Sequence, residues 1–316
     1  MRGIPRGRLT IVVLALVALS MPFLLAAPSS AQTTPVERTF ANAAGARDYY
    51  LHVPPGDPTG KPLMIYLHGC TDPQRQLADT GFSLTRIADE LGFVLAYPIQ
   101  TEAANERYCW NWFDPANQPR GQGESSIIAD LTTALIGEFG LDRSRVYVGG
   151  YSAGGAMSTV LAAAYPDLYA AIAPMAGGPY QLDPQTFSAD LSGASIVAAM
   201  GPRARPVPGF FLQDLADQTS LYPIGRANLT QWLGAYRLAG AAAVPGAVTV
   251  TTDPVPTTVE RYDAGSCALA EFRTPIGPDH IGGGLLMQSE RGIELQRALM
   301  NFLLAHRLGG PHQACG

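Results

Sequence analysis

A serine, a histidine and an aspartate could do chemistry together in this chain, and the serine is the one its neighbours single out. Ser152 lies in Gly150-Tyr151-Ser152-Ala153-Gly154, after a short apolar strand over 146–148 and before a helical run over 156–164. A serine hydroxyl attacks a carbonyl only when it is held on a sharp turn, beside a base, with amides placed for the charge that develops. The flanking glycines let strand and helix close on that turn without colliding side chains. The amide of Ala153 opens a helix, where an N–H lacks an internal partner and the dipole favours an anion. Ser152 is therefore the candidate nucleophile and Ala153 a candidate oxyanion donor. A phosphate cradle would need a P-loop lysine or the G-x-G-x-x-G spacing, and neither is present.

A base and an orienting acid must come from elsewhere. The chain order serine, acid, histidine is one of the known triad arrangements. His280, His306 and His312 follow Ser152; His306 falls at the end of a predicted helix and His312 in the tail. His280 stands in the glycine-rich stretch 277–284, between the last predicted strand and the last predicted helix, and is the candidate base. Asp217, in the loop after a strand over 208–212, is the candidate acid, with Asp214 as its rival. His68-Gly69 follows the apolar run 63–67, where the amide of Cys70 could serve as a second oxyanion donor. His68 itself is expected to bond the loop backbone.

These residues need a parallel sheet to carry them. Continuous apolar runs at 63–67 and 93–97 flank a helix over 81–91, which is a strand, helix, strand unit. An antiparallel pair over 37–40 and 48–53 precedes it. A periodic helix begins at Glu124 and ends at Gly140; a strand over 168–174, a short helix over 194–200 and a helix over 226–238 follow. Strands near 257–262 and 268–275 and a last helix over 285–306 complete the pattern. The irregular stretch 177–208 is a candidate cap. Tyr108-Cys109-Trp110-Asn111-Trp112-Phe113 is the densest aromatic cluster, and Trp110, Trp112 and Tyr151 are the candidate substrate-binding residues.

The N-terminal residues read as a secretory signal peptide, 1–31, with Arg2, Arg6 and Arg8 before an apolar run and a small-residue exit near Ala31. A single domain over 32–316 is expected after it, exported and without stable membrane association. Export makes disulfides of the four cysteines. Three pairings are possible; nearness in sequence favours Cys70 with Cys109 and Cys267 with Cys315. A metal site is not expected, since no C-x-x-C pair occurs. The net charge of −5 and 15% charged residues argue against nucleic acid as a partner and suit a soluble monomer meeting neutral substrates.

The stretches Leu67-His68-Gly69-Cys70-Thr71, Cys109-Trp110-Asn111-Trp112-Phe113, Gly121-Gln122-Gly123-Glu124 and Gly150-Tyr151-Ser152-Ala153-Gly154-Gly155-Ala156-Met157 together resemble the secreted polyhydroxybutyrate depolymerase family, within the carboxylesterases that include feruloyl and acetylxylan esterases. The resemblance implies an α/β-hydrolase fold, a mostly parallel sheet with helices on both faces. It also implies ester hydrolysis without a cofactor by Ser152, His280 and Asp217, with Cys70 and Ala153 as oxyanion donors and Trp110 or Trp112 on the acyl chain. Two departures bear on substrate. Gln213-Asp214-Leu215-Ala216-Asp217 replaces the family's His-Gly-x-x-Asp, and Asp279-His280-Ile281 lacks the usual Gly-His and a nearby aromatic. With no room for a separate polymer-binding domain, oligomers, amorphous polyester or small esters are the expected substrates. Plant cell-wall esters are the alternative, and a non-catalytic secreted binding protein of the same fold is a third reading.

Overall fold

The computed structural model describes residues 35–70, 83–253, 255–287 and 289–309, with Met1 and Gly3. The expected signal peptide therefore falls almost wholly outside the described residues, as does Cys315. Among the described residues a ten-stranded sheet organises the chain. Strands β1 (Val36–Asn42) and β2 (Gly45–His52) form the N-terminal hairpin. They are followed by β3 (Leu63–Leu67), α1 (Ser83–Leu91), β4 (Val94–Pro98), α2 (Gly123–Phe139), β5 (Val146–Tyr151), α3 (Ala153–Ala164) and β6 (Ala171–Met175). Then come α4 (Ala194–Met200), β7 (Gly209–Leu212), α5 (Tyr222–Leu238), β8 (Val244–Thr251), β9 (Thr257–Ala264), β10 (Cys267–Pro275), α6 (His280–Leu286) and α7 (Ile293–Leu304).

The strands lie in the order β1-β2-β4-β3-β5-β6-β7-β10-β9-β8. The central run from β4 to β10 is parallel, and antiparallel strands close both edges. Every residue of β3, β4, β5, β6 and β7 is buried, which is why these stretches are unbroken apolar runs. Alternation along a strand sends side chains to opposite faces. Leu63, Ile65 and Leu67 join Val146 and Val148 in a core covered by α2, α3, α4 and α5. Met64, Tyr66 and Tyr147 point the other way, into a second core covered by α1 and α7.

Two elements differ from the sequence expectation. The last helix is two, α6 and α7, separated by a 3-10 turn at Glu290–Gly292, and His280 opens the first of them instead of lying in a loop. The break falls at Gly292, where a Cβ would stand 1.7 Å from the carbonyl oxygen of Leu286, so the chain turns tightly back on the end of α6. Strand β8 escapes the hydrophobic pattern because it is an exposed edge strand containing Pro245 and Gly246. The stretch 177–208 is fastened to α5: Gln231 bonds the backbone of Tyr180 and Asp190, and Asn228 donates to the carbonyl of Gly177.

Because the central strands run parallel, the loops leaving β3, β5, β7 and β10 emerge at one edge of the sheet. Those loops carry Cys70, Ser152, Asp214 with Asp217, and His280.

Candidate active site

Ser152 stands between β5 and α3 with φ 56° and ψ −121°. A non-glycine residue held there stores about 1–3 kcal/mol of strain, so the surroundings must enforce it. Its N–H donates to the carbonyl of Met175 at the end of β6, 2.9 Å away. The helix behind it is pressed onto the sheet: a Cβ on Gly154 would stand 2.1 Å from the carbonyl oxygen of Leu67, and one on Gly150 would stand 2.2 Å from the same atom. Only glycine permits that approach, and the result is a hydroxyl pushed out at the strand end.

The structure brings three of the sequence-predicted residues into a line. His280 Nε2 is 3.0 Å from Ser152 Oγ, and its Nδ1 is 2.6 Å from Asp217 Oδ2. With the ring proton on Nδ1 donated to Asp217, Nε2 is left to accept the serine hydroxyl. Asp217 is almost fully buried, and its Oδ1 accepts the amides of Thr219 and Ser220 at 2.8 Å each. Gln213 adds a second donor to Oδ2, beside His280. Burial pushes this carboxyl up, but the bonds from His280, Ser220 and Thr219 outweigh it and hold its pKa below the ordinary value. Asp214 points elsewhere: its Oδ2 accepts the Tyr151 hydroxyl at 2.6 Å, so it is not the residue on His280 Nδ1.

On the other side of Ser152 lies the loop after β3. A Cβ on Gly69 would stand 3.2 Å from Ser152 Cβ, so this loop abuts the serine. Cys70 is joined to Cys109 by a disulfide, which ties the loop to the aromatic segment. His68 is wholly buried, and its Nε2 must accept, because the group facing it is the N–H of Gln100 at 3.0 Å. Its proton therefore sits on Nδ1 and is donated to the carbonyl of Gly69 at 2.6 Å. In a trans peptide C=O and N–H point opposite ways; fixing the Gly69 carbonyl on His68 turns the N–H of Cys70 away from it.

Beneath this loop is a buried polar network that sequence reasoning missed. Glu124 Oε1 accepts from Arg47, Gln100 and Asn111, and Oε2 accepts the Asn111 amide. Gln100 in turn donates to the carbonyl of Cys109. Glu124 sits in the first turn of α2, a place normally read as a solvated, dipole-friendly carboxylate. Its nearly complete burial sets it apart.

Two expected substrate contacts are corrected by burial. Trp110 has no exposed surface and packs 5.5 Å from the His68 ring, so it supports the loop from below and does not line a cleft. Tyr151, 3% exposed, lies behind His280 with ring centroids 5.2 Å apart. Trp112 is half-buried, with Phe113 edge-on to it and 41% exposed. The pairing expected of Cys267 with Cys315 lies outside the described residues; Cys267 itself is buried at the start of β10.

Residues 47–224 match the family described as Esterase PHB depolymerase. The chain belongs to this family. Within it, the chain is 39% identical over 161 residues to poly(3-hydroxyalkanoate) depolymerase C of Paucimonas lemoignei, covering 51% of this chain and 38% of that protein. It is 37% identical over 132 residues to feruloyl esterase B of Neurospora crassa, covering 40% of this chain and 43% of that protein. The chain thus spans less than half the length of these relatives. Among solved structures, an acetyl xylan esterase from Aspergillus awamori superposes with a TM-score of 0.59 at 24% identity, covering 74% of this chain and 89% of that one. A putative α/β hydrolase from Agrobacterium tumefaciens superposes with a TM-score of 0.52 at 15% identity, covering 84% and 95%. The fold of this Esterase PHB depolymerase family member is that of the α/β hydrolases.

Proposed function

We propose that this protein is an exported serine esterase that cleaves carboxylic esters of hydroxyalkanoate polyesters and their oligomers through an acyl-enzyme. The observation that carries the reading is His280 spanning Ser152 Oγ and Asp217 Oδ2 beside a serine in a strained turn. Ser152 Oγ attacks the ester carbonyl as its proton passes to His280 Nε2, and Asp217 stabilises the resulting imidazolium. The amides of Ala153 and Cys70 take the oxyanion, each worth about 3 kcal/mol to the transition state. The imidazolium then gives its proton to the departing alkoxide, and water repeats the sequence to release the acid.

The surroundings support an apolar substrate. Ile281, next to His280, is 71% exposed, and Leu285, one turn on, is 44% exposed. Leu215 and Ile276 are also exposed, and the amide of Leu215 donates to Pro275, which sets it beside Ile276. Such a rim suits a polyester better than a hydrophilic polysaccharide. The likeness to feruloyl esterase B favours a second reading, an esterase of plant cell-wall esters.

A three-substrate comparison separates these readings: polyhydroxybutyrate film, a short p-nitrophenyl ester and methyl ferulate, each with Ser152→Ala as control. Film clearing with short-ester turnover is expected. Turnover of methyl ferulate with an untouched film points to the cell-wall reading, and silence on all three contradicts an esterase.

A further inference from the structure

Asp214 is a fully buried carboxyl that the Ser152–His280–Asp217 line does not use. It leaves β7 on the same loop as Asp217, and Tyr151, the last residue of β5, donates its hydroxyl to Oδ2 at 2.6 Å. The Tyr151 ring in turn stands against the His280 ring. A second contact reaches His280 through its own helix. A Cβ on Gly283 would lie 2.0 Å from Asp214 Oδ2 and 2.5 Å from the Tyr151 hydroxyl, and one on Gly284 would lie 3.3 Å from the Tyr151 ring. Gly283 and Gly284 therefore give α6 a bare surface seated directly on the carboxyl-phenol pair, with His280 at its first position.

We propose that Asp214 is a positioning residue for His280, acting through Tyr151 and the first turn of α6, and that its ionisation contributes to the acid limb of the site. The titratable groups that bear on it are Tyr151 from β5, Asp217 on its own loop and His280 from α6, while Tyr66 from β3 bears on Tyr151. Burial, aided by the charge of Asp217, pushes the Asp214 carboxyl up to about 7, against the opposing Tyr151 bond and His280. Its Oδ1 is buried with no hydrogen-bond partner among the described residues, which disfavours the charged form further. Burial and the neighbouring carboxyl push the Tyr151 hydroxyl well above its ordinary value, so it remains the donor. When ionised, Asp214 is a second negative charge near the imidazolium formed in catalysis; when protonated, it is not.

The inference rests on Ser152, His280 and Asp217 being the catalytic groups. It is tested by the pH dependence of kcat/KM for a p-nitrophenyl ester, together with the pH dependence of fluorophosphonate labelling of Ser152, in Asp214→Asn, Tyr151→Phe, Ser152→Ala and the wild type. Because Asp214 ionises only around pH 7, removing its charge should move the acid limb of both profiles to lower pH by a few tenths of a unit. Tyr151→Phe keeps the ring but withdraws the donor that favours the ionised carboxyl, so its limb should move the same way by less. It also serves as the test if Asp214→Asn fails to fold. Variants that lose rate or stability with both acid limbs unmoved overturn the inference while leaving the catalytic groups intact. Turnover and labelling that survive in Ser152→Ala overturn both.

Discussion

The loop after β3 and the first turn of α6 face each other across Ser152 and are held by opposite means. On the β3 side the fixed parts are covalent or multiply hydrogen-bonded: the Cys70–Cys109 disulfide, the His68 ring with both nitrogens engaged, and Glu124 with four donors. On the α6 side His280 is carried by a seven-residue helix with three consecutive glycines, over a carboxyl with one oxygen unpaired among the described residues. The difference matches the tasks proposed for the two sides. An oxyanion amide must already be in place when charge develops, since reorganisation would waste its benefit. A general base must instead change its charge twice per turnover, which a tightly compensated network would oppose. Side-chain substitutions that loosen the first side should therefore cost mainly stability, and those at the second mainly rate.

Substitutions can test that division. Asp217→Asn should fold and lower kcat by up to about 10⁴, because the imidazole would lose its orienting acceptor and take the wrong tautomer; steady-state kinetics on a p-nitrophenyl ester, with thermal melting alongside, checks it. A melting temperature that falls with the rate would show that Asp217 also supports the fold. Glu124→Ala should do the reverse. It leaves Arg47 buried without its carboxylate, Gln100 with only the Cys109 carbonyl and the Asn111 side chain with only the Ala104 carbonyl, costing about 3–5 kcal/mol of stability, readable in urea unfolding.

A third test reads stability against pH. Asp214 has a folded pKa raised to about 7. Between the ordinary aspartate value, about 3.9, and that point the native state holds a proton that the unfolded chain has released. Its contribution to stability is thus present at low pH and lost as pH rises through about 7. Asp217, with its pKa lowered, works the other way and loses its contribution as pH falls below the ordinary range. Asp214→Asn should gain stability relative to the wild type between about pH 5 and pH 8 in thermal melts. An unchanged difference would mean that Asp214 does not titrate there.

Much of this architecture is legible from local pattern. Leu63–Leu67 and Ala194–Met200 are read from the sequence with the bounds they have in the structure. The turn at Ser152 follows from glycines that the strand, turn, helix pattern explains. The parts not legible are those made by distant residues. Tyr151 and Asp214 are 63 positions apart, and Arg47 and Glu124 are 77 apart; neither spacing carries a periodic signal. Trp110 reads as a cleft residue because an aromatic in a Pro-rich loop usually faces solvent, whereas the disulfide and His68 fold this one inward. Strand β8 has no buried face, so no alternation marks it.

The central claim is that His280, aligned by Asp217, activates Ser152. Mass spectrometry after fluorophosphonate treatment, on the wild type, His280→Asn and Ser152→Ala, tests it most directly. One adduct is expected on the peptide carrying Ser152 in the wild type, with labelling slowed by at least about a hundredfold in His280→Asn and none in Ser152→Ala. An adduct on another residue, or equal labelling rates with and without His280, would contradict it.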